Sequence, residues 1–482
     1  MILKGNCLDT LKTLPDCSVD SIVTDPPYEL GFMGKSWDNS GIAYNQDLWA
    51  ECLRVLKPGG HLLAFSGSRT YHRMVVAIED SGFEIRDQIM YLYGSGFPKS
   101  LDVSKAIDKR GGATANFEEF RNAVKKAMKE QGLKRSVLAD ALGNFMLSHY
   151  LTAGSQPAIP NYRDFKIIRD FVNLGDSFNH LFAAEAEREV VGFQKRGNSV
   201  NTDFMSGGNN ITAPATPEAQ QWQGWGTALK PAHEPIVVAR KPLIGTVAQN
   251  VLTYGTGAIN IDGSRVGTSG ENFDDLKGRP ITKLATRREG ETDEEYNARV
   301  LESPAQQEAL AKLKKLGRWP ANVIHDGSDE VLAGFPNEAA RFFKSTPIDE
   351  ADTQSFIYCA KASTSERNAG LDPDEFPLLN YTEANKMGGA GDTMLTGSGN
   401  PRDSRKRNFH PTVKPLALMR YLIKLVTPPG GTVLDPFLGS GTTAVAAILE
   451  GFEWIGCEMT AEYFPIIEAR VEWAKNQPKT LI

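Results

Sequence analysis

The segment Val433-Leu-Asp-Pro-Phe-Leu-Gly-Ser-Gly-Thr-Thr-Ala444 constrains this chain more than any other. It reads as strand, glycine turn and helix: an apolar run Thr432 to Asp435, then Gly439, Gly441 and Ala444 in the spacing G-x-G-x-x-A, then a helical stretch Thr442 to Glu450. Glu458 follows the next strand, Trp454 to Cys457, 19 residues after Gly439. Small residues let the backbone approach a ligand, and free N–H groups at a helix start favour a carboxylate or phosphate. An acid at the end of the next strand accepts ribose hydroxyl protons. The pattern implies an α/β sheet and an adenosine-containing cofactor; NAD and S-adenosylmethionine both suit it. A Walker-type phosphate loop is excluded, because no Lys follows the glycines.

The first 100 residues follow the same α/β grammar. Ile2-Leu3 is a short apolar run, Leu8 to Leu14 is helical, and Val19 to Thr24 reads as a buried strand. A helix is expected from Gln46 to Lys57, stopped by Pro58-Gly59-Gly60 before a strand His61 to Phe65. A helix from about Arg69 to Asp80 and a strand near Phe83 to Tyr93 come next. The middle has another texture. Phe117 to Asn144 is helical and basic, and about 195 to 400 is rich in Gly, Asn, Ser, Thr and Pro, with short apolar runs such as Pro235 to Ala239 and Phe356 to Tyr358. One charged surface helix is expected over Asp293 to Leu316. Helices Leu416 to Val426 and Ala461 to Lys475 flank the returning α/β pattern, so the two ends of the chain are expected to share one sheet split by a large insertion.

The second informative motif is Asp25-Pro26-Pro27-Tyr28, at the end of the strand Val19 to Thr24. Each proline fixes φ at about −65° and removes a donor, so the Asp25 carboxylate and the neighbouring carbonyls stand as acceptors with little N–H competition. That arrangement suits an –NH₂ group. The exocyclic amine of adenine or cytosine is a poor nucleophile because its lone pair is conjugated into the ring. Accepting both of its N–H bonds pushes the nitrogen toward a tetrahedral, attacking form. Asp25 and the Pro26 carbonyl have the acceptors for this, and Tyr28 supplies a ring on which a base rotated out of a duplex stacks.

Taken together, Asp25 to Tyr28 and Phe437 to Gly441 resemble the amino-methyltransferases of DNA, in which Asp-Pro-Pro-Tyr carries the target base and Phe-x-Gly-x-Gly binds S-adenosylmethionine. The catalytic motif precedes the cofactor motif, which resembles the β-class order with a target recognition region between the two. His410-Pro-Thr-Val-Lys-Pro415 is similar to the segment just upstream of the cofactor loop in that class, implying that Thr412 helps hold the methionine end. Gly5-Asn6-Cys7 is similar to the segment that meets the adenine, with Asn6 standing where the family usually has an acid. Leu56 to Gly60, Gly94 to Lys99, Lys230 to Pro235 and Arg318 to Asn322 also look like family segments.

The resemblance implies a doubly wound, Rossmann-like methyltransferase sheet, circularly permuted, beginning at its third strand and ending with the helix after its second. It implies Asp25, Pro26, Pro27 and Tyr28 as catalytic residues. The cofactor set it implies is Asn6, Cys7, Thr412, Asp435, Phe437, Gly439, Gly441, Thr442, Thr443 and Glu458. Residues 1–110 and 406–482 are then the two parts of the catalytic domain, 111–180 an inserted helical segment, and 181–405 a target-recognition region with loops. Adenine N6 is preferred over cytosine N4, since the family's adenine enzymes usually show Asp at the first motif position and its cytosine enzymes more often Ser. The rival reading from another class is a DNA-binding regulator on an inactive methyltransferase fold, against which Asp25, Tyr28, Gly439, Gly441 and Glu458 stand intact.

Recognition of double-stranded DNA must rest on local patches, because net charge is −6 and pI about 5.8. Lys99 to Arg135 holds ten Lys/Arg against five Asp/Glu, and Asn400 to Lys424 holds seven against Asp403 alone. Leu133 to Gly143, then Ser148-His-Tyr150 and Pro157, resembles a Cro-type helix-turn-helix; a plain helical hairpin packed on the catalytic domain accounts for the same residues. Lys99, Lys134, Arg135, Arg402, Arg405, Lys406 and Arg407 are the expected DNA contacts, made to phosphates rather than bases. Trp222, Trp225, Lys230 and the glycine-rich 388–399 stretch are expected as loops. The five cysteines are scattered with no C-x-x-C pair, so neither a disulfide frame nor a metal site is expected. No run of 18 apolar residues occurs, so a membrane span is not expected and a cytoplasmic protein is the simplest expectation; a monomer or homodimer without an obligate protein partner is expected as well.

Overall fold

The computed structural model describes residues 1–30, 36–94, 96, 100–109, 117–143, 146–151, 159–182, 189–195, 208–267, 287–347, 362–377 and 407–477. The chain forms two compact units, Met1–Phe97 with Pro231–Ile482, and Pro98–Lys230. The strands in chain order are β1 (Ile2–Lys4), β2 (Val19–Thr24), β3 (Leu56–Phe65), β4 (Glu84–Leu92), β5 (Val190–Lys195), β6 (Gly208–Thr212), β7 (His233–Arg240), β8 (Val323–His325), β9 (Lys344–Ser345), β10 (Thr432–Asp435) and β11 (Glu453–Glu458). In the first unit nine of them form one sheet in the order β1-β11-β10-β2-β3-β7-β4-β8-β9. Every pairing is parallel except those of β7.

Alternation along the central strands sends neighbouring apolar residues to opposite faces. Ile22, Leu62 and Val237 join one core, with Leu48, Trp49 and Cys52 of helix Gln46–Val55 and Met74 and Ile78 of helix Tyr71–Asp80. Val23, Leu63 and Val238 join the other, under helix Leu416–Val426 and Ala446 and Ala447 of helix Thr442–Leu449. Both faces are covered, which is why β2 is buried along its whole length, its polar residues Asp20, Ser21 and Thr24 included. Each fully buried Leu, Ile or Val contributes roughly 1.5–3 kcal/mol by removal from water.

From β2 the chain winds outward to β3, and from β10 it winds the other way to β11, its last strand, which pairs in turn with the first strand, β1. The carboxyl ends of the neighbours β10 and β2 therefore flank the point where strand order reverses, the place where a doubly wound sheet opens a crevice.

Some expectations give way. β3 starts at Leu56, not His61: Gly59 (φ +77°) and Gly60 do not end the preceding helix in a turn but carry the strand past β2 through a register shift. A Cβ on Gly60 would sit 2.9 Å from the Asp20 carbonyl oxygen, a closeness that only glycine permits. The run Pro235 to Ala239 lies in the middle of the sheet within β7, and β8 and β9 extend the edge, so the sheet draws on 233–345, which the sequence assigns to the recognition region. The expected helix over Asp293 to Leu316 is two helices, Asp293–Leu301 and Pro304–Leu316. Ser303 Oγ caps the second by accepting from the Gln306 N–H, and Pro304 occupies its first turn.

The second unit packs helices Phe117–Glu130, Arg135–Leu142 and Tyr162–Phe171 around Phe120, Phe165 and Phe182, with the last two rings stacked at 3.9 Å. The helical stretch Phe117 to Asn144 is formed by two helices, Phe117–Glu130 and Arg135–Leu142, separated at Gly132 (φ +66°). Gly143 (φ +63°) ends Arg135–Leu142, and only one turn, Leu147–Tyr150, follows before the described residues stop at 151. β5 and β6 form an antiparallel pair in this unit. Lys99, Pro157, Phe356 to Tyr358, the 388–399 stretch, Arg402, Arg405 and Lys406 lie outside the described residues. No described helix is long and apolar enough to cross a membrane.

Candidate active site

β10 ends in Asp435 and β2 in Thr24, and the two are joined: Thr24 Oγ1 donates to Asp435 Oδ1 at 2.6 Å. Asp435 also accepts from Thr443 Oγ1 at 2.5 Å and from the Phe437 N–H at 3.0 Å, so one buried carboxylate ties the proline loop to the glycine loop and to the first turn of helix Thr442–Leu449. Burial raises its pKa, and these three donors oppose the rise by favouring the ion.

The glycine loop is held from several sides. Gly439 and Gly441 have φ of +55° and +84°, which is why glycine stands at both. A Cβ on Gly439 would lie 2.7 Å from His410 Nε2. Burial, with Arg367, Arg470 and Lys414 near, pushes the His410 imidazole down to about 3, so it is neutral and accepts from the Thr412 N–H through Nδ1. Arg470 is buried and donates to Ser440 O at 2.6 Å, to Ser440 Oγ and to Thr442 Oγ1. Arg367 donates to the His410 carbonyl at 2.6 Å.

Glu458 closes this side. Its Oε2 accepts from the Gly439 N–H at 2.9 Å and its Oε1 from the Thr460 N–H at 2.7 Å. An ionised carboxylate has about four lone-pair sites, so Glu458 can also accept from hydroxyl donors. Met459 beside it is 70% exposed, an apolar surface at the strand end that the sequence reading passed over. Gly5 N–H donates to the Glu458 carbonyl at 2.8 Å, which brings Asn6 and Cys7 to the same edge. Asn6 Oδ1 caps helix Cys7–Thr10 by accepting from the Leu8 N–H, and the Cys7 thiol is buried in the core and pushed up to about 11. A strand end with a diol acceptor, glycine backbone and exposed apolar surface fits an adenosine-bearing cofactor.

Across the junction, Asp25 is 16% exposed at the end of β2. Its Oδ1 lies 3.1 Å from Lys414 Nζ, which is also 3.0 Å from Glu234 Oε2 on β7 and donates to the Tyr28 hydroxyl at 2.8 Å. The Tyr28 hydroxyl in turn donates to Glu234 Oε2 at 3.1 Å. The Lys414 ammonium faces the rings of Tyr28 and Phe65 at 5.0 and 4.8 Å. Burial, reinforced by Glu234 and Asp435 and opposed by Lys414, pushes Asp25 up to about 6.

The structure thus brings Asp25 to Tyr28, Asn6, Cys7, Thr412, Asp435, Phe437, Gly439, Gly441, Thr442, Thr443 and Glu458 to one unit. Arg407, half-buried, opens the segment leading to His410. Lys134 and Arg135 are exposed at the start of helix Arg135–Leu142 in the second unit. Lys414 and Glu234 belong to segments singled out from the sequence, but neither residue was; the signal available was a charged residue at each strand or loop end.

Comparison with known proteins matches residues of both units. Residues 19–131 and 206–469 match the DNA methylase family. Type II methyltransferase M.ScaI of Streptomyces caespitosus is 41% identical over 75 residues, 16% of this chain and 25% of that protein. Type II methyltransferase M.BglI of Bacillus subtilis is 48% identical over 68 residues, 14% and 20%. DNA adenine methyltransferase YhdJ of Escherichia coli K12 is 43% identical over 67 residues, 14% and 23%. The chain thus spans a quarter or less of the length of each.

Proposed function

The chain belongs to the DNA methylase family, and from that premise we propose that it transfers a methyl group from S-adenosylmethionine to N6 of an adenine flipped out of double-stranded DNA at a specific sequence. The observation that carries the reading is the join at the sheet's switch point: Thr24 to Asp435 sets the Asp25 loop against the glycine loop within one hydrogen bond. S-adenosylmethionine, when bound, supplies an electrophilic sulfonium methyl. Glu458 accepts its ribose hydroxyls, Gly439 and Gly441 let backbone lie close, and Thr412 and Thr443 border the methionine side.

On the other side, Asp25 and the Pro26 carbonyl accept the two amine N–H bonds of the target base, and Tyr28 stacks on it. Pro27 keeps that loop short of donors. No covalent enzyme intermediate is needed, so catalysis is positioning and electrostatics. The Asp at position 25 supports adenine, as does the name of the Escherichia coli relative, a DNA adenine methyltransferase. Arg407, Lys134 and Arg135 contact phosphates in this reading. The strand order, with β1 beyond β11 and β10, supports a permuted chain.

The test is incubation of unmethylated genomic DNA with protein and S-adenosylmethionine, followed by nucleoside digestion and mass spectrometry. N6-methyladenine is expected. N4-methylcytosine would overturn the base, and no methyl mark despite tight DNA binding would favour the regulator.

A further inference from the structure

We infer that Lys414 and Glu234 are positioning residues for the transfer: the Lys414 ammonium, held between the Asp25 and Glu234 carboxylates, keeps Asp25 in place as the ion that takes up the proton lost by the amine. The inference rests on the methyltransferase reading above. Its basis is geometric. Three segments remote in sequence, the end of β2, the start of β7 and the stretch after His410, converge on one nitrogen, which stands 3.1 Å from Asp25, 3.0 Å from Glu234 and 2.8 Å from the Tyr28 hydroxyl.

A simple structural ion pair matches one cation to one anion. Here one ammonium serves two carboxylates, with side-chain exposures of 6% for Lys414, 16% for Asp25 and 5% for Glu234, so among the described residues the cluster carries a surplus negative charge beside the proline loop. Glu234 Oε1 is buried with no hydrogen-bond partner among the described residues, an energetically costly arrangement for packing alone. The rings of Tyr28 and Phe65 flank the ammonium and limit its movement.

The chemistry has a use for that surplus. As the N–C bond forms and the C–S bond breaks, its electron pair staying on sulfur, the amine nitrogen becomes positive and must then release one proton. An ionised Asp25 hydrogen-bonded to it stabilises the developing charge and receives the proton. Lys414 favours that ionised form, whereas Glu234 disfavours it but fixes Lys414 and the Tyr28 hydroxyl. Among the described residues, the charged and titratable groups facing Asp25 are Lys414, Glu234 and Asp435; Tyr28 and Tyr91 face the Lys414–Glu234 pair.

The two positions therefore predict opposite effects. The full-length protein carrying carboxyl-¹³C aspartate is titrated by NMR, with Asp25→Asn identifying the signal, and kcat is measured against pH in parallel. Lys414→Met is expected to move both the Asp25 midpoint and the acid limb of kcat upward by about one pH unit, and Glu234→Gln to move both downward. Lys414→Arg, which keeps the charge, is expected to restore the wild-type limb in part. Midpoints that stay put, or that move the same way in both variants, overturn the inference, and Glu234→Gln decides alone if Lys414→Met does not fold. An Asp25 that titrates in the expected order in a protein that methylates nothing overturns the methyltransferase reading instead.

Discussion

A carboxyl group pushed up to about 6 makes folding itself depend on pH. Between about pH 4 and 6 the folded protein keeps a proton on Asp25 that the unfolded chain has released, so this group's contribution to stability falls as pH rises through that window and stays low above it. Asp25→Asn removes the effect. It is expected to match wild-type stability below pH 4 and exceed it by on the order of 2 kcal/mol at neutral pH in urea unfolding; equal stability throughout would contradict the burial argument. The same residue was legible in the sequence because its function is written locally, in two prolines and an aromatic after a strand. Glu458 was legible for a similar reason, a fixed interval from Gly439. Lys414 and Glu234 were not, because 180 residues separate them and only the fold makes them neighbours.

Elements with strong patterns were read correctly: β2, β10 and helix Leu416–Val426 stand where the apolar runs place them. Errors fell where a local signal had two uses. Pro58-Gly59-Gly60 suits a helix stop, yet in the structure these residues are the irregular opening of β3, with Lys57 bonded to Asp20 at 2.7 Å. Gly60→Ala would place a methyl 2.9 Å from the Asp20 carbonyl oxygen and 2.7 Å from the Leu56 side chain. It is expected to cost about 1–3 kcal/mol, read as a lower urea midpoint; an unchanged midpoint would show that the bulge relaxes freely. β8 and β9 escaped notice because three and two residues are too few for any period to emerge. The helix break at Ser303-Pro304 was visible as a cap followed by a proline, but the charged composition on either side masked it.

At the scale of the whole molecule, the proposed action of an acidic chain on DNA requires that its positive charge be concentrated. Lys134 and Arg135 stand exposed in a unit with its own aromatic core, apart from the cores that bracket the sheet. Replacing both with Gln is expected to weaken DNA binding and make the slope of log affinity against log salt shallower by about 2, while S-adenosylmethionine affinity is unchanged. An unaltered slope would remove this helix start from the DNA surface. The central claim is that one sheet serves two loops with separate duties, cofactor on the Gly439 side and amine on the Asp25 side. The measurement that tests it most directly is a single-turnover methyl transfer by Asp25→Asn, with S-adenosylmethionine and DNA binding measured on the same preparation. The account predicts both ligands bound as by the wild type and transfer slowed at least about a hundredfold; transfer at the wild-type rate would contradict it.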